Sequence, residues 1–276
     1  MWFRLLPSLV GVAALLSPAS GQPAGVGLKP HTLAAFDRYV KLTEARIADE
    51  LSGSSPFLWL DRQRPAVRSG HLASLKRGQV VSERLETRDG TRQIDIDDGL
   101  IHHWIGTVLL PDVTVDKARQ FVQRYDRYPA LFSPTIQRAK ELSRTNDRFV
   151  VQMRTWAKKL TVTVVIDADY TIDYQAISPS RLHSKSVAGN LYLVGSPGAA
   201  NEKREPADRT SGWLWRLNTY CSFERVPEGT IEQCESVSLT RGIPFGFGWM
   251  VRPFVASIPR ETLAFTLGRV RSEVVK

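Results

Sequence analysis

Cysteine is nearly absent from this 276-residue chain, whose only two are Cys221 and Cys234. Two are too few for a disulfide scaffold or for a zinc site of the Cys-rich kind. Beyond the first 21 residues, no stretch approaches the ~20 apolar residues that a membrane helix needs. There is no internal repeat, and no nucleophile elbow, phosphate loop or dinucleotide fingerprint. Gly246-Phe247-Gly248 lacks both the third glycine and a suitably placed strand before it. The common nucleotide-binding and serine-hydrolase chemistries are thereby excluded, and shape is left as the main carrier of function.

The charged groups do not assemble into a site either. Of the five histidines, His102 and His103 are adjacent on a strand and point to opposite faces, so they cannot share one metal. His31 and His71 lie in an N-terminal stretch that is hard to assign, and His183 stands alone. Asp95, Asp97 and Asp98 precede a glycine and read as a polar turn, because a calcium loop needs ligands at set spacing ending in Glu. Asp167, Asp169 and Asp173 share a strand face with Thr163 and Thr171, which reads as a solvated outer face. We therefore expect no metal, no cofactor and no dedicated catalytic residue.

The first residues carry a different message. Met1-Trp2-Phe3-Arg4 is a charged start, Leu5 to Leu16 is an uncharged apolar run, and Ser17-Pro18-Ala19-Ser20-Gly21 breaks the helix and supplies small residues. That is the plan of a cleaved secretory signal. No cysteine follows it to accept a lipid anchor. Removing residues 1–21 takes away one Arg and no acid, which lowers the formal charge from +9 to +8. A basic exported protein meets anionic lipid surfaces more readily than nucleic acid.

Downstream, the periodicity predicts a helix over 29–51, with Leu33, Phe36, Val40, Ile47 and Leu51 on one face and Thr32 as a cap. Residues 22–98 read as an N-terminal extension of helix plus short strands packed on a main domain at 99–276. Within that domain Leu100 to Leu110 predicts a strand, 114–125 a helix, and 136–194 a run of antiparallel strands. Residues 195–211 read as a long polar loop. A hairpin follows over 212–239. The chain then ends in two helical segments, one at 249–257 bounded or kinked by Pro253 and one after Ser257. In the latter, Leu263, Leu267, Val270 and Val274 form a buried stripe.

This order resembles the START-like superfamily, also called SRPBCC, which includes lipid-transfer and polyketide cyclase-like proteins. The resemblance covers about residues 100–272. It rests on Trp104-Ile105-Gly106-Thr107-Val108 running into the 112–125 helix, and on Tyr125-Asp126-Arg127-Tyr128-Pro129. Leu239-Thr240-Arg241-Gly242-Ile243-Pro244 before the last helix completes it. It implies an α+β helix-grip fold, in which a curved antiparallel sheet wraps a long C-terminal helix around an apolar cavity, here with an N-terminal helical extension. No invariant catalytic motif comes with it. Trp213 and Trp215 read as sharing a strand face with Leu217 and Phe223, and these positions suit the cavity wall. Trp104, Met153 and Tyr170 are expected on the same wall. Phe245, Trp249, Phe254 and Leu263 are expected to close it from the C-terminal side.

The expected function is an exported binding or carrier protein for a hydrophobic small molecule, a lipid or a polyketide-like compound. An anionic membrane surface is a candidate second partner, and nucleic acid is not one. The alternatives are a cyclase- or dehydratase-type enzyme in the same cavity, using a desolvated acid, Tyr170 or His102, and a non-catalytic cell-envelope interaction protein. The cysteines leave two registers open. A four-residue loop at 226–229 places Cys221 opposite Cys234, within disulfide range. A one-residue shift separates them and fits the apolar pattern better, so two free thiols are expected.

Cleavage after Gly21 predicts a mature chain beginning at Gln22. N-terminal sequencing of the protein recovered outside the cytoplasm checks this, and a chain still starting at Met1 refutes it.

Overall fold

A computed structural model describes residues 27–159, 162–209, 213–242 and 248–276, so the expected signal segment lies outside the described residues. The first helix, α1, spans Pro30–Ser52. Pro30 lies in its first turn, where a missing N–H leaves no bond unmade. Gly53 stops it with φ 82°, its N–H reaching the carbonyls of Asp49 and Glu50. The buried stripe is Thr32, Phe36, Tyr39, Thr43, Ile47 and Glu50, rotated from the expected one. Thr32 is no cap: its Oγ1 donates to the Asp97 carbonyl at 2.8 Å. The surface beneath α1 explains the rotation, because it offers His103 and Glu235 beside Val237 and Leu239.

A 3₁₀ turn at Trp59–Arg62 leads to α2, Pro65–Lys76. Periodicity did not announce α2, since Leu75 alone is buried on it. Strand β1 is Val81–Arg84, and a small hairpin pairs β2, Arg88–Asp89, with β3, Arg92–Gln93. The long strand β4 runs Gly99–Pro111. Helix α3, Val115–Val122, begins where the Thr114 side chain accepts from the Lys117 N–H, and a short α4 covers Tyr128–Leu131. Then come β5, Ile136–Thr145, β6, Arg148–Lys159, β7, Val162–Ser178, and β8, Arg181–Gly195. The segment expected to be loop contains β9, Lys203–Pro206, which pairs with β8. Strands β10, Leu214–Val226, and β11, Gly229–Arg241, form the last hairpin.

Together these make a nine-stranded antiparallel sheet in the order β1-β4-β11-β10-β8-β7-β6-β5, with β9 joined to β8. The extension therefore contributes an edge strand to the sheet as well as a cover. The sheet curves around the C-terminal helix α5, Gly248–Val274, in a helix-grip arrangement. Two helical segments were expected, but α5 is continuous through Pro253 and Pro259. Each proline forfeits one backbone bond, and helix on both sides carries the chain across the gap. No helix among the described residues is long and apolar enough to cross a membrane.

The inner face of the sheet, toward α5, holds the largest cluster, including Val108, Phe149, Val151, Phe223, Leu263 and Leu267. The outer face of β4, β11 and β10 is sealed by the extension. Phe57, Leu58 and Leu60 cover Ile105 and Leu109 there, and Phe36 and Ile47 cover Val237 and Leu239. Close helix–sheet approach depends on Gly106. A Cβ at that position would lie 2.6 Å from Cδ1 of Leu267 and 3.1 Å from Cγ of Leu263.

The cysteine expectation fails. Arg225 pairs with Thr230 and Cys221 with Cys234, and the two form a disulfide. The apolar-pattern argument assumed that one face of β11 must be polar because it meets water. Instead β11 is buried on both faces, so alternation along it says little about register.

Replacing Leu263, 8% exposed and seated over Gly106, with Asp would bury an unpaired charge at a cost of roughly 3–5 kcal/mol. Thermal unfolding of Leu263→Asp should show a large loss of Tm or no cooperative transition. A Tm within a few degrees of wild type would mean that α5 is not gripped.

Candidate functional site

Strand alternation sorts the side chains beneath α5. On β11 the inward positions are Glu232, Cys234, Ser236, Ser238 and Thr240. They stand opposite Val108, Gly106, Trp104, His102 and Leu100 of β4. Across β10, Phe223, Cys221, Thr219 and Leu217 oppose Glu232, Cys234, Ser236 and Ser238. Ser184 and Ser186 of β8 continue those rows, and Tyr174, Ile172 and Tyr170 of β7 follow. The inner face is thus a floor of small hydroxyl groups walled by aromatic and aliphatic side chains. It runs from Glu232 at one end to Trp104, Leu217 and Thr240 at the other.

The two ends differ in enclosure. Trp104, Leu214 and Leu217 remain half-buried, and the Arg260 guanidinium lies 5.8 Å from the Trp104 ring centre. By contrast, Ile105, Val237 and Leu239 on the outer face are wholly buried. At the closed end Phe149, Tyr125 and Tyr174 stack edge to face, with ring centres 5.4 and 5.7 Å apart. The Tyr125 and Tyr174 hydroxyls bond each other at 2.8 Å. Burial, reinforced by the neighbouring Tyr174, pushes the Tyr125 hydroxyl far above its usual range.

Glu232 is the unexpected member. It is 3% exposed, and its Oε2 has no hydrogen-bond partner. Its Oε1 lies 3.8 Å from Sγ of Cys234, which as a disulfide sulfur carries no hydrogen to donate. Burial pushes the carboxyl up to about 8. Strand alternation alone puts Glu232 on one face with Cys234, Ser236 and Ser238 and says nothing of what covers that face. The missing signal was the second cover on β11, which is a tertiary fact.

Of the expected wall residues, Met153 and Leu263 are buried in the inner cluster, with Trp104 and Tyr170 packed against it. Burial pushes the Tyr170 hydroxyl up to about 12. Leu217 joins Leu214 beside Ala168 and Leu191. Trp215 is a correction. A bulge between Leu214 and Arg216 turns it to the outer face, where it packs with Phe36, Tyr39 and Val237. Trp213 is half-buried, its carbonyl accepting the Arg241 N–H at 2.8 Å. Phe245 lies outside the described residues. Trp249 and Phe254 belong to the α5 backbone, and their side chains lie outside the described set.

The histidines separate as strand geometry requires. His102 faces inward and bonds Thr240 Oγ1 at 2.8 Å. Burial, aided by Arg84, lowers it to about 4. His103 faces α1, its Nδ1 2.8 Å from the Tyr39 hydroxyl and its Nε2 2.6 Å from Oε1 of Glu235. Glu235 also meets Arg46, which bridges to Glu50, and Glu50 meets Arg62. Burial would raise the Glu235 carboxyl, but His103 and Arg46 hold it below its usual value. His183 bonds Ser222 at 3.1 Å and is lowered to about 4 by burial. The aspartate row is not a solvated face throughout. Asp167 is buried and grips Arg154 through two bonds of 2.7 and 2.9 Å. Among the described residues no group of three or more His, Cys, Asp or Glu side chains is arranged to hold a metal.

No protein-family model matches this chain, and no curated protein does. Among solved structures it is similar to a STAR-related lipid transfer protein fragment from Xanthomonas axonopodis. That match has 12% identity and a TM-score of 0.45, covering 71% of this chain and 99% of the other. It is also similar to the Zhui aromatase/cyclase of Streptomyces sp. R1128, with 9% identity, a TM-score of 0.43 and coverage of 63% and 94%. A third is the lipid transfer and protein localization domain of human StarD13, with 9% identity, a TM-score of 0.41 and coverage of 78% and 98%.

The Glu232 carboxyl keeps its proton in the folded chain up to a pH of about 8, whereas the unfolded chain releases it near 4.5. Stability contributed by that difference therefore falls as pH rises through this window, by on the order of 5 kcal/mol in all. His102 and His183 act with the opposite sign and lose stability as pH falls from 6.5 toward 4. Between pH 6.5 and 8.5 Glu232 should dominate over these histidines. Wild-type Tm is expected to fall across that interval, and Glu232→Gln to flatten the slope. Parallel slopes would refute the assignment.

Proposed function

We propose that this protein is an exported binding or carrier protein for a hydrophobic small molecule, a lipid or a polyketide-like compound, held between the inner face of the sheet and α5. The observation that carries the reading is the contrast between the two faces. The extension buries Ile105, Val237 and Leu239 at the centre of the outer face, whereas Trp104, Leu214 and Leu217 on the inner face remain half-buried at one end. Apolar side chains left partly open inside a concave, otherwise enclosed surface lose water when a ligand enters, and that transfer drives binding. Hydroxyl groups along the floor, Ser236, Ser238 and Thr219, would orient polar atoms of the same ligand.

Export is supported by the signal pattern at residues 1–21 and by the Cys221–Cys234 disulfide, which suits an oxidising compartment. The formal charge of +8 after cleavage at Gly21 supports contact with anionic lipid surfaces. One observation favours a second reading, a cyclase- or dehydratase-type enzyme. Glu232 is a buried acid without a partner, the kind of group that can deliver a proton.

Titration with a neutral naphthylamine probe tests the carrier reading. Saturable binding should quench tryptophan emission. Trp104→Ala should remove most of that quenching, whereas Trp215→Phe should leave it intact because Trp215 lies on the outer face. No saturable binding, or quenching unaffected by Trp104→Ala, would overturn the reading. Native mass spectrometry of the purified protein should show a co-purified small molecule.

A further inference from the structure

Glu232 and Glu235 stand three residues apart on the same strand and face opposite ways, and they differ completely in their surroundings. Glu235 meets His103 and Arg46. Glu232 meets no donor among the described residues, although it is equally buried. The nearby tyrosine hydroxyls are engaged elsewhere. Tyr128 donates to the Val122 carbonyl at 2.6 Å, and Tyr125 and Tyr174 bond each other. Leaving a buried polar group unpaired costs roughly 1–3 kcal/mol. Other buried polar atoms are unpaired too, Thr107 Oγ1 and Trp215 Nε1 among them, but among the described residues Glu232 supplies the only carboxyl oxygen of this kind. A partner from outside the chain is one explanation for such a group.

The position says where that partner comes from. Glu232 lies on the inner face, in the row of Val108 and Phe223, which is the floor of the proposed ligand site. Leu263 and Leu267 sit over Gly106 and close the β4 side. The remaining floor between Glu232 and the half-open end runs over β10 and β8, where Thr219, Ser184 and Ser186 face inward. These are small, hydroxyl-bearing side chains.

Resting on the carrier reading, we propose that Glu232, as the neutral acid, anchors the leading end of the ligand by donating its proton to an uncharged oxygen. The ligand class is then a hydrophobic molecule ending in a hydroxyl, ketone or amide. A molecule ending in a carboxylate is disfavoured, because among the described residues no cation pairs with Glu232, whose Oε1 lies 3.8 Å from a disulfide sulfur and whose Oε2 has no partner. A buried negative charge without such a partner is costly. The raised carboxyl supports this, since it keeps the donor proton at neutral pH.

Displacement of the bound neutral naphthylamine probe by 1-dodecanol and by dodecanoate at pH 7, with the delipidated full mature chain, tests the assignment. The wild type should take the alcohol about tenfold more tightly than the acid, the size of one net hydrogen bond. Glu232→Leu should narrow that preference by weakening the alcohol while still binding the probe. Glu232→Gln, which keeps a donor, should retain it. Thermal melts establish that both variants fold, which is expected because each removes a buried acid. Equal affinity for alcohol and acid in the wild type, or a preference unchanged in Glu232→Leu, would overturn this inference and leave the carrier reading standing. Failure of the wild type to bind the probe at all would overturn the carrier reading and this inference with it.

Discussion

A strand covered on both faces has nowhere to expose a polar group, and β11 is such a strand. Its neighbour β4 is in nearly the same position. One side meets α5 and the other meets α1, so every polar side chain on either face must find a partner or bear the cost of desolvation. The rest of the architecture follows from how the two faces meet that demand.

On the outer face the charged groups meet that demand by pairing with one another, although Thr107 Oγ1 and Trp215 Nε1 stay unpaired. His103, Tyr39, Glu235, Arg46, Glu50 and Arg62 form a connected set of hydrogen bonds and ion pairs between α1 and the sheet. Buried pairs of this kind add little net stability over an apolar isostere, but removing one member strands its partner. The network therefore does more to set the register of α1 on the sheet than to hold it there. Phe36, Ile47, Val237 and Leu239 supply the apolar burial that does the holding.

The inner face is resolved differently. Close to Gly106 the contact with α5 is tight, with Leu263 and Leu267 filling the space a Cβ would take. Toward Trp104 and Leu217 the packing opens, and a row of hydroxyl groups replaces apolar contact. Packing density sets where local opening is least costly. The tight half of α5 is the fixed end of the grip, and at the other end Trp104 and Leu217 stay half-buried. The disulfide joins β10 to β11 directly beneath the tight half, which keeps the two central strands in register if α5 shifts.

Local periodicity made much of this legible. The alternation in β6 and β7, the i, i+4 stripe of Leu263, Leu267, Val270 and Val274, and the breaker after α1 follow from backbone geometry that neighbouring residues alone specify. So does the opposition of His102 and His103. Helix α2 and strand β9 escaped because their side chains are mostly exposed and carry no periodic signal. The face of Trp215, the pairing of Cys221 with Cys234 and the isolation of Glu232 were not legible for a deeper reason. A bulge reverses every side chain beyond it, and a strand buried on both faces loses the contrast from which register is inferred. The sequence by itself determined the succession of strands and helices and the stripe that the sheet grips. Only the tertiary structure decided which polar groups on the doubly covered strands are paired and which are not, because pairing depends on what each face is pressed against.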